Sequence, residues 1–207
     1  ATEGGIFTFS VSDSVYETFT KTDGLSEASL TSISLDKDNK IWVGSGNGII
    51  NVYFPSTGTF KKILDIYNTG RTLRQINHLL SRGDTLFVST DFGFSLININ
   101  DLSFYDTFFK FSSFPSYIRI NSSYVDNLIY LASESGVVIQ KEGATNLVAP
   151  ESWDVYTTVE GLPVNNIFKI GKYNGKVIAS SSKGLSQFNN GFWTSLNSIF
   201  NNKNIQD

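Results

Sequence analysis

Short apolar segments alternate with polar turns along the whole chain, and no stretch of helical length shows a period of 3.6 residues. One unit recurs: an apolar strand, a small polar turn, a glycine and a second apolar strand. This unit occupies residues 41–49, 86–94, 129–137 and 177–185. The glycines that occupy equivalent positions in successive repeats are Gly5, Gly48, Gly93, Gly136 and Gly184.

A second pair of segments gives the same period independently. Residues 16–25 and 153–162 both carry aromatics at the same two positions and end in Gly-Leu, and the offset between them is close to three glycine spacings. The first complete repeat resolves into four strand candidates, at 30–36, 41–45, 49–54 and 59–67. Four short strands in about 45 residues are typical of a β-propeller blade. The sequence therefore predicts an all-β fold, a propeller of four-stranded antiparallel blades.

The repeat also predicts how the propeller is divided. Residues 192–196 are expected to form a fourth strand and residues 204–207 to begin another first strand. About 4.5 blades are then present, which predicts an incomplete ring cut from a seven- or eight-bladed propeller in a longer polypeptide. A five-bladed ring that lacks one strand is the alternative. The predicted parts of this one propeller domain are 1–23 (third and fourth strands only), the blades 24–68, 69–112, 113–159 and 160–200, and 201–207 as the start of a further blade.

Composition narrows the class of partner. The net charge is −3, which gives no reason to expect nucleic acid or an anionic membrane as partner. No run of 18 apolar residues occurs, so direct membrane insertion is not expected. The absence of cysteine excludes a disulfide scaffold, a thiolate metal site and a cysteine nucleophile.

Candidate catalytic chemistry is sparse. His78 is the only histidine, so a Ser-His-Asp triad would have to use it, and a structural or channel-lining role is favoured.

Residues 36–40 begin like a calcium loop, but Ile41 and Asn47 stand where an EF-hand needs glycine and a bidentate carboxylate. A tight hairpin, with Asp side chains bonded to backbone NH groups, is the better interpretation. No catalytic residue, metal or cofactor is predicted.

The four arginines of the chain all lie between residues 71 and 119. Three of them fall in links between the fourth strand of one blade and the first strand of the next, which emerge on one face of a propeller. Arg82 falls in a turn that should face the other way. A guanidinium group matches carboxylate, sulfate and phosphate, so this face is predicted to bind an acidic glycan or an acidic protein loop. Local pairing of each arginine is the alternative. The predicted binding residues are Arg71, Arg74, Arg119, Phe92 and Tyr117.

The segment DGLSEASLTSISLDKDNKIWVGSGNGI, residues 23–49, resembles the two-component regulator propeller repeat. That repeat combines Gly-Leu, a Ser/Asn-rich link, an apolar strand, Asp-x-Asp-Gly-Asn and Ile-Trp-Val-Gly-Thr. Lys40 and Ser45 depart from the pattern. The match is strong here and at 160–170 and weak in the two middle repeats. The degenerate middle repeats, with the run 106–133, are similar to PorZ-type proteins of the type IX secretion system.

The resemblance implies a bacterial envelope protein, periplasmic or at the cell surface. The leading hypothesis is a non-catalytic interaction or scaffold module associated with type IX secretion, with a protein or acidic glycan bound on one face. One alternative is the ligand-sensing periplasmic domain of a hybrid two-component histidine kinase. Another, from a different class, is a propeller glycosidase or polysaccharide lyase, which would need convergent carboxylates or a Tyr/His/Arg cluster at the channel mouth.

Overall fold

The computed structural model describes residues 4–196, and these residues form antiparallel sheets joined by turns and short 3-10 segments. One sheet has two strands and four sheets have four strands, each in sequence order. The prediction of an all-β propeller built from four-stranded antiparallel sheets is confirmed. The first sheet contains β1 (Ile6–Ser10) and β2 (Val15–Phe19), and the second contains β3 (Leu30–Leu35), β4 (Ile41–Ser45), β5 (Ile50–Phe54) and β6 (Thr59–Ile63). The third sheet contains β7 (Ile76–Arg82), β8 (Thr85–Thr90), β9 (Gly93–Asn98) and β10 (Phe104–Phe108), and the fourth contains β11 (Ile120–Val125), β12 (Ile129–Ser133), β13 (Gly136–Gln140) and β14 (Trp153–Tyr156). The fifth sheet contains β15 (Ile167–Tyr173), β16 (Lys176–Ser181), β17 (Gly184–Asn189) and β18 (Phe192–Ser195).

The repeated glycines all adopt a positive φ. Gly136 begins β13 with φ 144°, and its α-carbon faces the carbonyl oxygen of Tyr156 in β14, where a β-carbon would collide. Gly93 has φ 149° and meets the carbonyl of Phe108 in the same way. Glycine is therefore required at this point of the repeat both for backbone conformation and for space.

The two matching segments, 16–25 and 153–162, share a capped 3-10 turn. Thr20 accepts a hydrogen bond from the Thr22 amide on its hydroxyl, and its own amide donates to Asp23 Oδ2 at 2.7 Å. The amide of Thr157 donates to Glu160 Oε2 at 2.7 Å in the same arrangement. This reciprocal capping follows the last strand of a sheet and turns the chain toward the next sheet.

The segment 36–40 forms the predicted hairpin. Asp36 Oδ1 accepts from the amides of Asp38 and Lys40, both at 2.9 Å, and Oδ2 accepts from Trp42 Nε1 at 2.8 Å. The carboxylate is buried and lies 3.5 Å from Lys40 Nζ. The Trp42 side chain is fully buried. The aromatic side chains of Phe87, Tyr130 and Trp153 are also buried.

One predicted strand is too long. The sequence predicts a single strand over 59–67, but β6 ends at Ile63. The Asn68 amide donates to the Leu64 carbonyl at 2.8 Å, which turns the chain. Ile66 is then buried, although it lies outside the strand. Residues 204–207, expected to begin another strand, lie outside the described residues.

The chain divides into two compact units, and each has its own core. The first unit contains residues up to 90 and residues 96–105; the second contains residues 91–95 and those from 106 onward. In the first unit a buried cluster joins the first two sheets through Ile6, Leu25, Leu30 and Val43. In the second unit a larger cluster joins the fourth and fifth sheets, and its members include Ala132, Val137, Ile167, Val177 and Trp193.

Candidate functional site: an aromatic–arginine surface

Two exposed aromatic rings face each other in the second unit. Tyr117 lies in the link between β10 and β11, and its amide donates to the Phe109 carbonyl at 2.7 Å. The two ring centroids are 5.2 Å apart. Phe109 is 36% exposed and Tyr117 is 49% exposed. The ring planes are tilted by 48°, and aromatic pairs at this distance attract each other, so the two rings hold each other in place at the surface.

Tyr117 has an unusual backbone. Its φ is 62°, in the left-handed region that a bulky residue rarely adopts. Such strain persists only when the surroundings impose it, and it is often found at binding sites. Here the hydrogen bond to Phe109 and the ring contact together hold the Tyr117 side chain in place.

The two exposed rings have a buried support. Phe92 is only 3% exposed and stacks on Phe109 with centroids 6.1 Å apart. The sequence predicts Phe92 as a contact residue of the binding face, but its burial gives it the role of supporting Phe109.

Arg119 lies two residues after Tyr117 and is held by carboxylates. Its Nε donates to Asp91 Oδ1 at 2.8 Å, and its backbone amide donates to Glu134 Oε1 at 3.0 Å. The Glu134 amide donates back to the Arg119 carbonyl at 3.2 Å. The Asp91 side chain is 6% exposed, whereas that of Arg119 is 46% exposed. The Asp91 pair therefore orients the guanidinium group while nearly half of the side chain stays accessible.

We call these residues the aromatic–arginine surface: Phe109, Tyr117 and Arg119 are exposed, and Phe92 and Asp91 lie beneath them. It combines ring faces, which stack on sugars and other planar or apolar groups, with a guanidinium group that suits an anion. Phe109 and Asp91 were missed from the sequence. The only signal for Phe109 is its place in the aromatic run 104–111, and none distinguishes Asp91 from the other acids of the chain.

The other two predicted arginines belong to the first unit. The Arg74 guanidinium lies 4.3 Å from the centroid of the Tyr67 ring, and its Nη1 donates to the Tyr67 carbonyl at 3.0 Å. Arg71 is half-buried and follows the tight turn at Gly70. Arg74 is therefore paired locally with Tyr67, as the alternative interpretation of the arginines expects. That all three arginines share one binding face stays a prediction.

The described part of the chain offers little chemistry besides this surface. Residues 4–196 contain no group of three or more His, Asp or Glu side chains placed to hold a metal ion. His78 lies half-buried in β7. Within the same residues, no helix is long and apolar enough to cross a membrane.

Solved structures share the fold. PorZ of Porphyromonas gingivalis, described as an essential bacterial surface component of the type IX secretion system, is 18% identical with a TM-score of 0.67, and the match covers 84% of this chain and 23% of that one. The extracellular domain assigned to the hybrid two-component system BT3049 of B. thetaiotaomicron is 22% identical with a TM-score of 0.73, over 95% of this chain and 28% of that one. This chain therefore spans about a quarter of the length of either solved chain.

An enzyme shares the fold as well. The dihydro-heme d1 dehydrogenase NirN is 12% identical with a TM-score of 0.67, over 94% of this chain and 42% of that one. The fold alone does not decide between binding and catalysis.

At the level of sequence, no curated protein gives a significant match. A family profile, however, matches residues 1–154, and it describes the N-terminal β-propeller domain of PorZ, a component of the type IX secretion system. Since the matched residues make up well over half of the sequence, this chain belongs to the family of PorZ N-terminal β-propeller domains.

Proposed function

We propose that this chain is a non-catalytic binding module of a bacterial cell-envelope protein, associated with type IX secretion. The observation that carries the proposal is the aromatic–arginine surface. Its rings are exposed and held rigidly, and its guanidinium group is oriented by a buried carboxylate. A surface prepared in this way loses little side-chain freedom when a partner binds.

The partner is expected to present a carboxylate, sulfate or phosphate beside a planar or apolar group. Arg119 would meet the anion, and Phe109 and Tyr117 would stack on the neighbouring group. Exposed charge pairs contribute at most about 1 kcal/mol and are screened by salt. Affinity should therefore be modest and should fall as ionic strength rises.

The absence of catalysis is part of the proposal. The two carboxylates beside Arg119 are engaged: Asp91 accepts from Arg119 Nε, and Glu134 accepts from the Arg119 amide. Both carboxylates are therefore held by hydrogen bonds, whereas a glycosidase needs two carboxyl groups free to act as acid and as base or nucleophile. This observation supports binding over hydrolysis at this surface.

A location outside the cytoplasm is proposed from the relatives. PorZ is described as a surface component, and the BT3049 structure as an extracellular domain.

The second candidate function is ligand sensing in a hybrid two-component system. It is favoured by the higher TM-score and coverage of the BT3049 domain. Longer sequence would separate the two candidates: a transmembrane helix and kinase after the propeller would favour sensing, and a second propeller would favour the secretion system.

Replacing Arg119 tests the binding surface directly. We expect Arg119→Ala to weaken binding of uronic-acid oligosaccharides or acidic peptides about fivefold at low salt, the equivalent of about 1 kcal/mol. Arg119→Lys should recover only part of this loss of binding, because lysine lacks the planar fork.

Tyr117→Gly should also weaken binding, because it removes one of the two exposed rings. Glycine adopts φ 62° freely, so this replacement relieves the backbone strain at that position.

The measurement is glycan- and peptide-array binding followed by calorimetry at two salt concentrations. Arg82→Ala is the matched control, since Arg82 is exposed at the end of β7 and its replacement removes the same charge elsewhere. If neither ligand class binds, or if Arg82→Ala weakens binding as much as Arg119→Ala, the proposal is wrong.

A further inference from the structure

Glu134 adds a second carboxylate to the aromatic–arginine surface. It lies in the turn between β12 and β13 and is exposed, whereas the Asp91 side chain is buried. Its Oε1 accepts from the Arg119 amide at 3.0 Å, and its own amide donates to the Arg119 carbonyl. Only one arginine side chain separates that amide from the guanidinium group. An anion bound by Arg119 would therefore lie within about one Debye length, roughly 10 Å, of the Glu134 carboxylate.

The turn that carries Glu134 is fixed by its own hydrogen bonds. Ser133 Oγ donates to the Gly136 carbonyl at 2.7 Å, and the Ser135 amide donates to Ser133 Oγ at 3.2 Å. Phe114 packs against the turn, since a β-carbon on Gly136 would lie 2.8 Å from Phe114 Cζ. Because the turn is held in this way, the Glu134 carboxylate keeps its place beside Arg119.

One oxygen of the Glu134 carboxylate is left for a partner. Oε1 is engaged by the Arg119 amide, whereas Oε2 has no hydrogen-bond partner within residues 4–196. A carboxylate oxygen accepts hydrogen bonds and cannot donate them, and its bonds are strengthened by the negative charge. A partner of this surface should therefore place a hydroxyl or an amide N–H at Oε2.

The charges of this surface do not sum to a net positive charge. Asp91 pairs with Arg119 at 2.8 Å, and Glu134 adds a second negative charge. Lys110 is the only other cation in the link 109–119, and its ammonium group donates to the Phe114 carbonyl. A partner with closely spaced anions would bind Arg119 with one group and bring the next toward Glu134, where like charges repel.

We propose that Glu134 is a specificity-determining residue of the aromatic–arginine surface. It admits partners that carry a single anionic group flanked by hydrogen-bond donors, and it rejects partners whose anions are closely spaced. Arg119 binds the single anion, and Glu134 Oε2 accepts from the neighbouring donor. Specificity of this kind combines an attractive contact for one partner with a repulsive contact for its competitor. The inference rests on the binding function proposed above.

Two sugar probes of equal length test this selectivity. A hyaluronan hexasaccharide carries one carboxylate on every second sugar, with hydroxyl and amide groups between them. A heparin hexasaccharide adds closely spaced sulfate groups to a similar backbone. We expect the unmodified chain to bind hyaluronan hexasaccharide more tightly than heparin hexasaccharide in calorimetry at physiological salt.

Glu134→Gln should reverse part of this preference. Glutamine keeps an oxygen for the Arg119 amide but removes the charge. We expect the affinity for heparin hexasaccharide to rise about fivefold and that for hyaluronan hexasaccharide to fall about threefold, the range expected for single exposed charges. Glu134→Asp keeps the charge and should retain the preference for hyaluronan hexasaccharide.

Glu142→Gln is the matched control, because it removes the same charge elsewhere in the second unit. Glu142 is exposed and follows the far end of β13, about 13 Å or more along the strand from the turn of Glu134. At physiological salt a charge is largely screened beyond about 8 Å, so this variant should bind both probes like the unmodified chain.

The outcomes separate this inference from the proposed function. Tighter binding of heparin hexasaccharide by the unmodified chain would overturn the role of Glu134. Equal changes for both probes in Glu134→Gln, or the same changes in Glu142→Gln, would also overturn it, and the binding surface itself would stand. If neither probe binds, or if Arg119→Ala leaves hyaluronan binding unchanged, the proposed function is wrong and the role of Glu134 falls with it.

Discussion

At Asp36, one buried carboxylate organises a hairpin at the level of single atoms. It accepts from two amides of the turn and from the indole of Trp42, which is itself fully buried. Lys40, which pairs with it, also donates to the Ile99 carbonyl at 3.0 Å. Asp36, which resembles a calcium ligand in the sequence, therefore has both carboxylate oxygens occupied by hydrogen bonds from within the protein.

Removing this carboxylate should be costly. Asp36→Ala leaves the Trp42 indole and two turn amides without their acceptor, and each buried donor left in this way costs about 1–3 kcal/mol. We expect the free energy of unfolding to fall by about 3 kcal/mol in urea titrations followed by tryptophan fluorescence. Asp38→Ala is the control, since Asp38 is exposed and pairs with Lys40 at the surface, and it should cost less than about 1 kcal/mol. An equal loss in both variants would contradict the role assigned to Asp36.

At the scale of elements, sheets of the second unit are joined by an ion pair as well as by the core. Lys172 in β15 lies with its Nζ 2.5 Å from Oδ2 of Asp126, which follows β11. Asp126 is largely buried, and desolvation raises its pKa. The hydrogen bonds from Lys172, Leu128 and Asn127 outweigh this, so the pKa of Asp126 lies below its ordinary value of 3.8.

The depressed pKa of Asp126 makes a pH prediction with a definite sign. A carboxyl whose pKa is lower in the folded state stabilises fully above its unfolded pKa, and this contribution is lost as pH falls through the folded pKa. The stability advantage over Asp126→Asn should therefore be constant between about pH 5 and pH 9 and should shrink below about pH 4. Urea unfolding at several pH values measures it, and Lys172→Gln should reduce the same pH dependence. An unchanged slope in Asp126→Asn would rule out this ion pair as its source.

The elements that the sequence predicts correctly are those formed by interactions between residues close in the chain. The hairpin at 36–40 and the matching capped turns at 20–24 and 157–161 depend on residues close in sequence. The single strand predicted over 59–67 is wrong because burial of Ile66 outside the strand depends on its tertiary surroundings.

The aromatic–arginine surface was predictable only in part. Arg119 and Tyr117 stand out in the sequence as members of an inter-blade link. Their partners do not stand out, because the repeat pattern gives no sign that Arg119 contacts Asp91 or that Phe109 contacts Tyr117.

At the scale of the whole molecule, exposed apolar side chains concentrate in the first sheet. Large apolar residues that stay 46–84% exposed are Phe7, Phe9, Val11, Val15 and Tyr16. The Phe9 and Tyr16 rings contact each other at 4.6 Å, on the side of the sheet opposite Ile6, which is buried in the core. Phe7, Phe9 and Tyr16 share that face, whereas Val15 lies on the face of Ile6 and Val11 lies beyond the end of β1. An apolar patch of exposed rings is typical of an interaction surface, and a short two-stranded sheet leaves backbone edges that can pair with another chain.

We therefore expect the isolated chain to associate as its concentration rises. Sedimentation velocity across a concentration series should show growing oligomers, and Phe9→Glu with Tyr16→Glu should shift the distribution back to monomer. The control is Leu73→Glu with Tyr105→Glu, which adds the same charge at two exposed apolar positions outside the patch. Association is attributed to the first sheet because there the rings lie together, whereas the burial of an isolated exposed side chain contributes little to contact. A chain that stays monomeric at every concentration, or a control that dissociates the oligomers equally well, would show that this surface does not drive self-association.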